Sequence, residues 1–284
     1  MSRLLALVCT LLAMCLVAAC GDDDDDSSGS DSAAPAKLAV EVTEVGKGSR
    51  LSVPDSLEAG PATVSFRNTG KAPHDAQIVR VEGDQTVDQV LKAIEASGDG
   101  KPLPEWLRAA GGVGTVAPGE SATATDLLQP GKHFVLDTEP DRNGGTAEFE
   151  VTGEAGGELP GAPVTISAKE YGFVAEGLKA GTAKVTFDNV GKEPHHVIAV
   201  PYAKGATLAE VRKALNQGPG EEASGPPPVN FDQVTGSAVI DGGTKQVAQL
   251  ELRKGKYALV CFIADRAGGP PHVAKGMLTE VEVQ

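Results

Sequence analysis

Along most of this chain apolar and polar residues alternate over short stretches. Leu38–Val45, Ala122–Leu128, Val164–Lys169 and Val247–Leu252 carry this period-two pattern, which belongs to strands with one buried face. Ala76–Val81 and Val197–Val200 are more continuously apolar, as strands covered on both sides are. Pro118-Gly119 and Gly242-Gly243 punctuate the runs as turns. Two stretches follow a helical period instead: Val87, Val90, Leu91 and Ile94 form one apolar face, and Leu208, Val211 and Leu215 form another. The pattern predicts an all-β chain with two short inserted helices, each covering one end or side of a sheet.

The pattern occurs twice. Val64-Ser-Phe-Arg-Asn-Thr-Gly-Lys-Ala-Pro-His74 aligns without a gap on Val185-Thr-Phe-Asp-Asn-Val-Gly-Lys-Glu-Pro-His195. Val113–Pro118 matches Gly236–Asp241, Gly131–Asp137 matches Gly255–Cys261, and Gly144–Thr152 pairs with Gly276–Val283. The copies span residues 37–153 and 163–284, joined by a Gly- and Pro-containing linker at 154–162. With 35 Gly, 19 Pro, 3 Tyr and 7 Phe in 284 residues, many short strands and turns are expected, so each copy reads as a β-sandwich or barrel.

Residues 1–19 combine a short basic start with an apolar core and read as an export signal. Val17-Ala18-Ala19-Cys20 resembles the lipobox of bacterial lipoproteins, which implies cleavage before Cys20 and lipid on its sulfur. The expected location is the outer face of a bacterial cell membrane. An ordinary signal peptide with an incidental cysteine is the alternative. Residues 20–36, with Asp22–Asp26, have nothing to bury and read as a disordered acidic tether. A formal net charge of −14 without a basic stripe argues against nucleic-acid binding.

Beyond Cys20 there is one cysteine, Cys261, and one methionine, Met277, and both lie in the last thirty or so residues with His272. An intrachain disulfide is therefore excluded for an exported chain, and the sulfur needs another role. The bland role is that of a small buried hydrophobe. Thiolate, imidazole and thioether together suit copper, with Cys261, His195 and His272 as ligands and Met277 as a weak axial one. Cys261 follows a strand whose Tyr257 and Leu259 share its face, so it hangs at the strand end where sandwich loops collect. His196 points away from His195 on extended backbone and reads as a surface or supporting group, with a ligand role only if the loop turns sharply at Pro194.

Phe187-Asp-Asn-Val-Gly-Lys-Glu-Pro-His195, Gly255-Lys-Tyr-Ala-Leu-Val-Cys261 and Pro271-His272-Val-Ala-Lys-Gly-Met277 resemble the signature segments of the cupredoxins, the plastocyanin and azurin family of blue-copper proteins. The resemblance implies two tandem Greek-key β-sandwiches and one mononuclear copper site, in the second copy. It implies one-electron transfer through His195, Cys261, His272 and Met277; His196 and Asn189 are candidates for supporting groups or alternative ligands. Residues 262–271 separate Cys261 from His272, a longer ligand loop than the family uses, and His196 stands where the family often has Asn.

The first copy keeps His74 but has Asp137 in the cysteine position and no methionine, so it lacks the soft ligands and reads as structural or as a docking module. His133, which aligns with Tyr257, reads as a core-edge histidine, with weak metal binding together with His74 as the sharper alternative. Trp106 is expected under a cover segment. No phosphate loop, serine elbow or His-Glu-x-x-His run occurs, and the histidines are too few for an oxidase, so an enzyme is not expected. Copper storage or delivery, with a copper-exchange or redox protein as partner, and a metal-free interaction module remain the alternatives.

Overall fold

A computed structural model describes residues 34–139, 144–217 and 225–284. The stretch 1–19 expected to be an export signal, the lipobox-like Cys20 and the run Asp22–Asp26 lie outside the described residues. The rest forms one compact, all-β unit with two short helices. Among the described residues no helix is long and apolar enough to cross a membrane.

The first repeat contains β1 (Ala36–Val45), β2 (Gly48–Ser52), β3 (Ser56–Glu58), β4 (Gly60–Asn68), β5 (His74–Val81), α1 (Val87–Gly98), β6 (Leu107–Val116), β7 (Ser121–Leu128), β8 (Gly131–Leu136) and β9 (Thr146–Thr152). The second contains β10 (Val164–Lys169), β11 (Gly172–Ala175), β12 (Gly181–Asn189), β13 (Ile198–Pro201), α2 (Leu208–Leu215), β14 (Thr235–Gly236), β15 (Lys245–Leu252), β16 (Gly255–Val260) and β17 (Leu278–Val283). Every stretch read above as a strand or helix forms one, whereas β2, β3 and β11 are additions. Trp106 is partly buried against the cluster beneath α1.

In each repeat two sheets enclose a core. Ile166, Phe187 and Leu250 of one sheet meet Ala199, Tyr257 and Leu259 of the other, and Val40, Phe66 and Ala124 likewise meet Ile78, Val135 and Phe149. The sheets are mixed, since β1 runs parallel to β4, β10 to β12 and β3 to β9. Each helix seals the outer face of the sheet that its repeat does not share with the other. Val90 and Ala93 of α1 pack on Val79, Phe134 and Leu136, and Val211 and Leu215 of α2 pack on Val200, Ala258 and Val260. Thr86 and Thr207 start the helices with matching capping boxes to Gln89 and Glu210, which satisfy N–H groups that would otherwise lack partners.

The repeats share one eight-stranded sheet in the order β11-β10-β12-β15-β7-β4-β1-β2. Its seam is the antiparallel pair β7–β15, with Asp126 opposite Gln246, Thr125 opposite Val247 and Ala124 opposite Ala248. Strand edges that would otherwise be left unpaired thus satisfy each other. The other layer adjoins through isolated bridges Ala110–Ile240 and Val113–Ser237. Buried side chains complete the seam: Gln246 Nε2 donates to Gly112 O at 2.7 Å and Asp126 Oδ1 at 2.7 Å, and Gln77 Nε2 donates to Val239 O at 3.0 Å. Gly112, at φ 111°, approaches Ala76 so closely that a Cβ would stand 1.9 Å from its carbonyl oxygen.

Candidate metal centre

Two loops repeat the same construction. Asn189 ends β12, and its Nδ2 donates to Glu193 O at 2.9 Å and Ile240 O at 3.3 Å while its Oδ1 accepts from Gly191 N at 3.1 Å. Asn68 does the same at the end of β4, through Ala72 O, Val116 O and Gly70 N. A glutamate closes each loop from outside: Glu170 Oε1 accepts from Lys192 N and Glu193 N, as Glu44 Oε1 does from Lys71 N and Ala72 N. The loop is thereby rigid before the histidine is reached. His195 then bridges to Ile240 through its backbone, with N–H to O at 3.0 Å and the reciprocal bond at 2.9 Å.

Strand β16 brings in the sulfur. Tyr257, Leu259 and Cys261 face the inter-sheet core, whereas Ala258 and Val260 face the layer under α2, so alternation aims Cys261 inward as expected. After residues 262–271 the chain returns: His272 N donates to Ile263 O at 2.8 Å and Val273 N to Cys261 O at 2.8 Å. These bonds close the base of the excursion, so its length does not carry His272 away from Cys261.

His195, Cys261 and His272, all fully buried, bring their ligand atoms within 4.8 Å of one another. His272 Nδ1 lies 3.0 Å from His195 Nδ1 and 3.5 Å from Cys261 Sγ. His272 Nε2 meets Asp265 Oδ1 at 2.9 Å, so the proton of that ring belongs on Nε2 and the Nδ1 lone pair faces the cluster. Asp265 is itself held by Lys275 and by Tyr171 Oη, which donates at 3.0 Å.

Met277 is fully buried in the same core cluster as Cys261, and its N–H donates to His272 O at 2.9 Å. His196 turns the other way: its Nε2 accepts from Phe262 N at 2.9 Å and so steadies the residue after the cysteine. Glu170 and Asp265 were not singled out from sequence. The Glu-x-Gly shared by Glu44-Val45-Gly46 and Glu170-Tyr171-Gly172 was a repeat signal that points to the former.

Burial sets the protonation of this cluster. It pushes the Cys261 thiol up to about 12, and burial together with neighbouring His272 holds His195 down to about 4. Burial also lowers His272, against the pull of Asp265. Near neutral pH the cluster is therefore two neutral imidazoles and a thiol.

The donor set fits a soft cation on this geometry. The two Nδ1 atoms are too close for both to carry protons, and His195 Nε2 is buried without a hydrogen-bond partner, 3.8 Å from Glu170 Oε1. A cation held by both Nδ1 atoms would leave the His195 proton on Nε2, on the side of the Glu170 carboxylate. Two imidazoles and one thiolate form the trigonal set associated with copper electron-transfer sites.

Among its described residues the first repeat assembles no such cluster. His74 Nδ1 meets Asp137 Oδ2 at 2.7 Å, and His133 Nδ1 meets the carbonyl of Gly131 at 2.8 Å. Among the described residues the one group of three or more metal-ligating side chains that converge in this way is His195, Cys261 and His272.

No protein-family model matches the chain, and no curated protein does. Solved structures do match. Auracyanin A, a "blue" copper protein from Chloroflexus aurantiacus, is 14% identical over 42% of this chain and 100% of its own, with a TM-score of 0.31. Auracyanin from Roseiflexus castenholzii is 23% identical over 42% of this chain and 99% of its own, with a TM-score of 0.30. A copper nitrite reductase from Nitrosomonas europaea is 14% identical over 88% of this chain and 94% of its own, with a TM-score of 0.26. The chain is similar to these three proteins at identities of 23% and below.

Proposed function

We propose that the second repeat is a mononuclear copper site of the cupredoxin kind and that the chain is a one-electron carrier. The observation that carries this reading is the meeting of His195 with the sequence-distant Cys261 and His272 in one buried cluster. Copper would be held there by His195, Cys261 and His272, with Met277 as a further weak donor, and would supply one-electron redox chemistry.

The chain's own residues prepare the site. Asp265 fixes the ring of His272, Asn189 and Glu170 fix the loop that carries His195, and β16 fixes Cys261. Burial excludes water from the donors. Ligands that barely move between oxidation states keep the cost of electron exchange low. The thiol must ionise on binding, and the cation compensates the charge that burial otherwise opposes.

In this reading the repeats are two tandem Greek-key sandwiches and the first is metal-free. The lipobox-like Val17-Ala-Ala-Cys20 supports a lipid anchor that holds the protein at the outer face of a bacterial membrane, where it meets a protein redox partner. No enzymatic turnover is assigned to it.

The test is copper stoichiometry. One copper per chain is expected in the purified protein, with loss in His195→Ala and in His272→Ala. Uptake of Cu(I) without visible colour would move the reading to storage or delivery, and no uptake in either oxidation state would leave an interaction module.

A further inference from the structure

We propose that the metal-free first repeat acts as a clamp on the ligand loop of the second, with Arg266 as its positioning residue; this rests on the copper reading above. The excursion at residues 262–271 is longer than closing its base requires, and its tip reaches the other repeat. Arg266 donates from its guanidinium to Leu107 O at 2.9 Å and Pro104 O at 3.3 Å, both in the first repeat. Its carbonyl accepts from Leu103 N at 2.8 Å, and Gly269 N donates to Gly100 O at 2.9 Å.

The same guanidinium pairs with Asp241 at 2.7 Å, and Asp241 N donates to Ala109 O at 3.1 Å, so the ion pair is itself tied to β6. Arg266 N donates to Glu193 Oε2 at 2.6 Å, which connects the tip to the loop that carries His195. Gly268, at φ 86°, lies so close to the first repeat that a Cβ would stand 2.4 Å from Gly100 O.

The clamp leads directly to the site. Arg266 follows Asp265, whose carboxylate holds His272 Nε2 at 2.9 Å. A ten-residue excursion left to itself would sample many conformations and carry Asp265 with it. Pinning the tip to a folded neighbour places Asp265, and through it the imidazole, before any metal arrives, so that binding does not have to order the loop. This also accounts for a first repeat that has no soft ligands of its own. Arg266 suits the task because its planar fork reaches two carbonyls and a carboxylate at once, which a lysine cannot do.

Copper titration of the full chain tests this, with Arg266→Ala, Arg266→Lys and Gly268→Val beside the wild type. Arg266→Ala should weaken Cu(I) affinity about 10–100-fold, the usual cost of losing a group that orients a metal ligand. It should also shift the visible thiolate-to-copper band. Arg266→Lys should recover part of both changes. Gly268→Val, which wedges the tip off the first repeat, should reproduce them without touching the arginine.

Amide hydrogen exchange on the wild-type protein needs no variant. Slow exchange at Leu103 and Gly269, whose N–H groups bond across to Arg266 O and Gly100 O, is expected at a level comparable with β16, and exchange as fast as in exposed turns would overturn the clamp. A wild-type chain that takes up no copper would overturn the reading beneath it. Wild-type uptake with unchanged affinity and colour in both Arg266→Ala and Gly268→Val would overturn the clamp alone.

Discussion

His74 Nδ1 lies 2.7 Å from Asp137 Oδ2, both side chains fully buried, at the pole of the first repeat that corresponds to the His195–Cys261 pole of the second. Asp137 occupies the cysteine position at the end of β8, and Ser49 Oγ donates to the same carboxylate while also accepting from Gly145 N at 2.6 Å. A hydrogen-bonded pair thus occupies in one repeat the place that a donor cluster takes in the other. The same loop, with Asn68 for Asn189 and Glu44 for Glu170, delivers the histidine in both.

Asp137→Asn should therefore act on stability and not on metal content. Losing a charged acceptor from a buried hydrogen-bond pair costs about 1–3 kcal/mol. Urea unfolding should show a loss of that order, with the copper stoichiometry of the protein unchanged. A variant that lost copper at full stability would place the metal at the wrong pole.

Asp265→Asn should do the reverse. The carboxylate that accepts from His272 Nε2 raises the basicity of the ring and fixes its orientation. Its loss should lower copper affinity about 10–100-fold, measured by competition with a Cu(I) chelator, while the hydrophobic cores remain intact. Unchanged affinity would show that His272 is held by other means.

The seam between the repeats should make stability depend on pH. Burial raises Asp126 to about 7, with the hydrogen bonds from Gln246 and Gly112 opposing it only in part. The folded state thus keeps a proton that the unfolded chain releases at its ordinary value of 3.8. This contribution is fully present below about pH 4 and declines as pH rises towards 7, by about 1.4 kcal/mol for each unit of pKa difference. Denaturant midpoints recorded across that range should fall with rising pH on this account, and Asp126→Asn should flatten part of the slope. An equal slope in the variant would remove Asp126 from the explanation.

Much of this architecture was legible before the coordinates. The gapless match of Val64–His74 on Val185–His195 located two loops that prove to share every main hydrogen bond, and alternation along Gly255–Cys261 placed the sulfur on the core side. The short strands β2, β3 and β11 were not legible, because three to five residues hold too few alternations to register a period. Nor was the β7–β15 seam, since each strand reads as an ordinary half-buried strand and the identity of its neighbour leaves no local trace. Asp265 and Arg266 were hidden for another reason. They lie in a Gly- and Pro-rich excursion whose composition signals a turn, while their partners His272, Leu107 and Asp241 come from other elements.

The visible absorption spectrum of the purified protein with Cu(II), recorded beside that of Cys261→Ser, tests the central claim most directly. An intense thiolate-to-copper band in the wild type, absent from the serine variant, is the result this account predicts. A colourless wild type, or a band that survives the loss of the Cys261 sulfur, would contradict it.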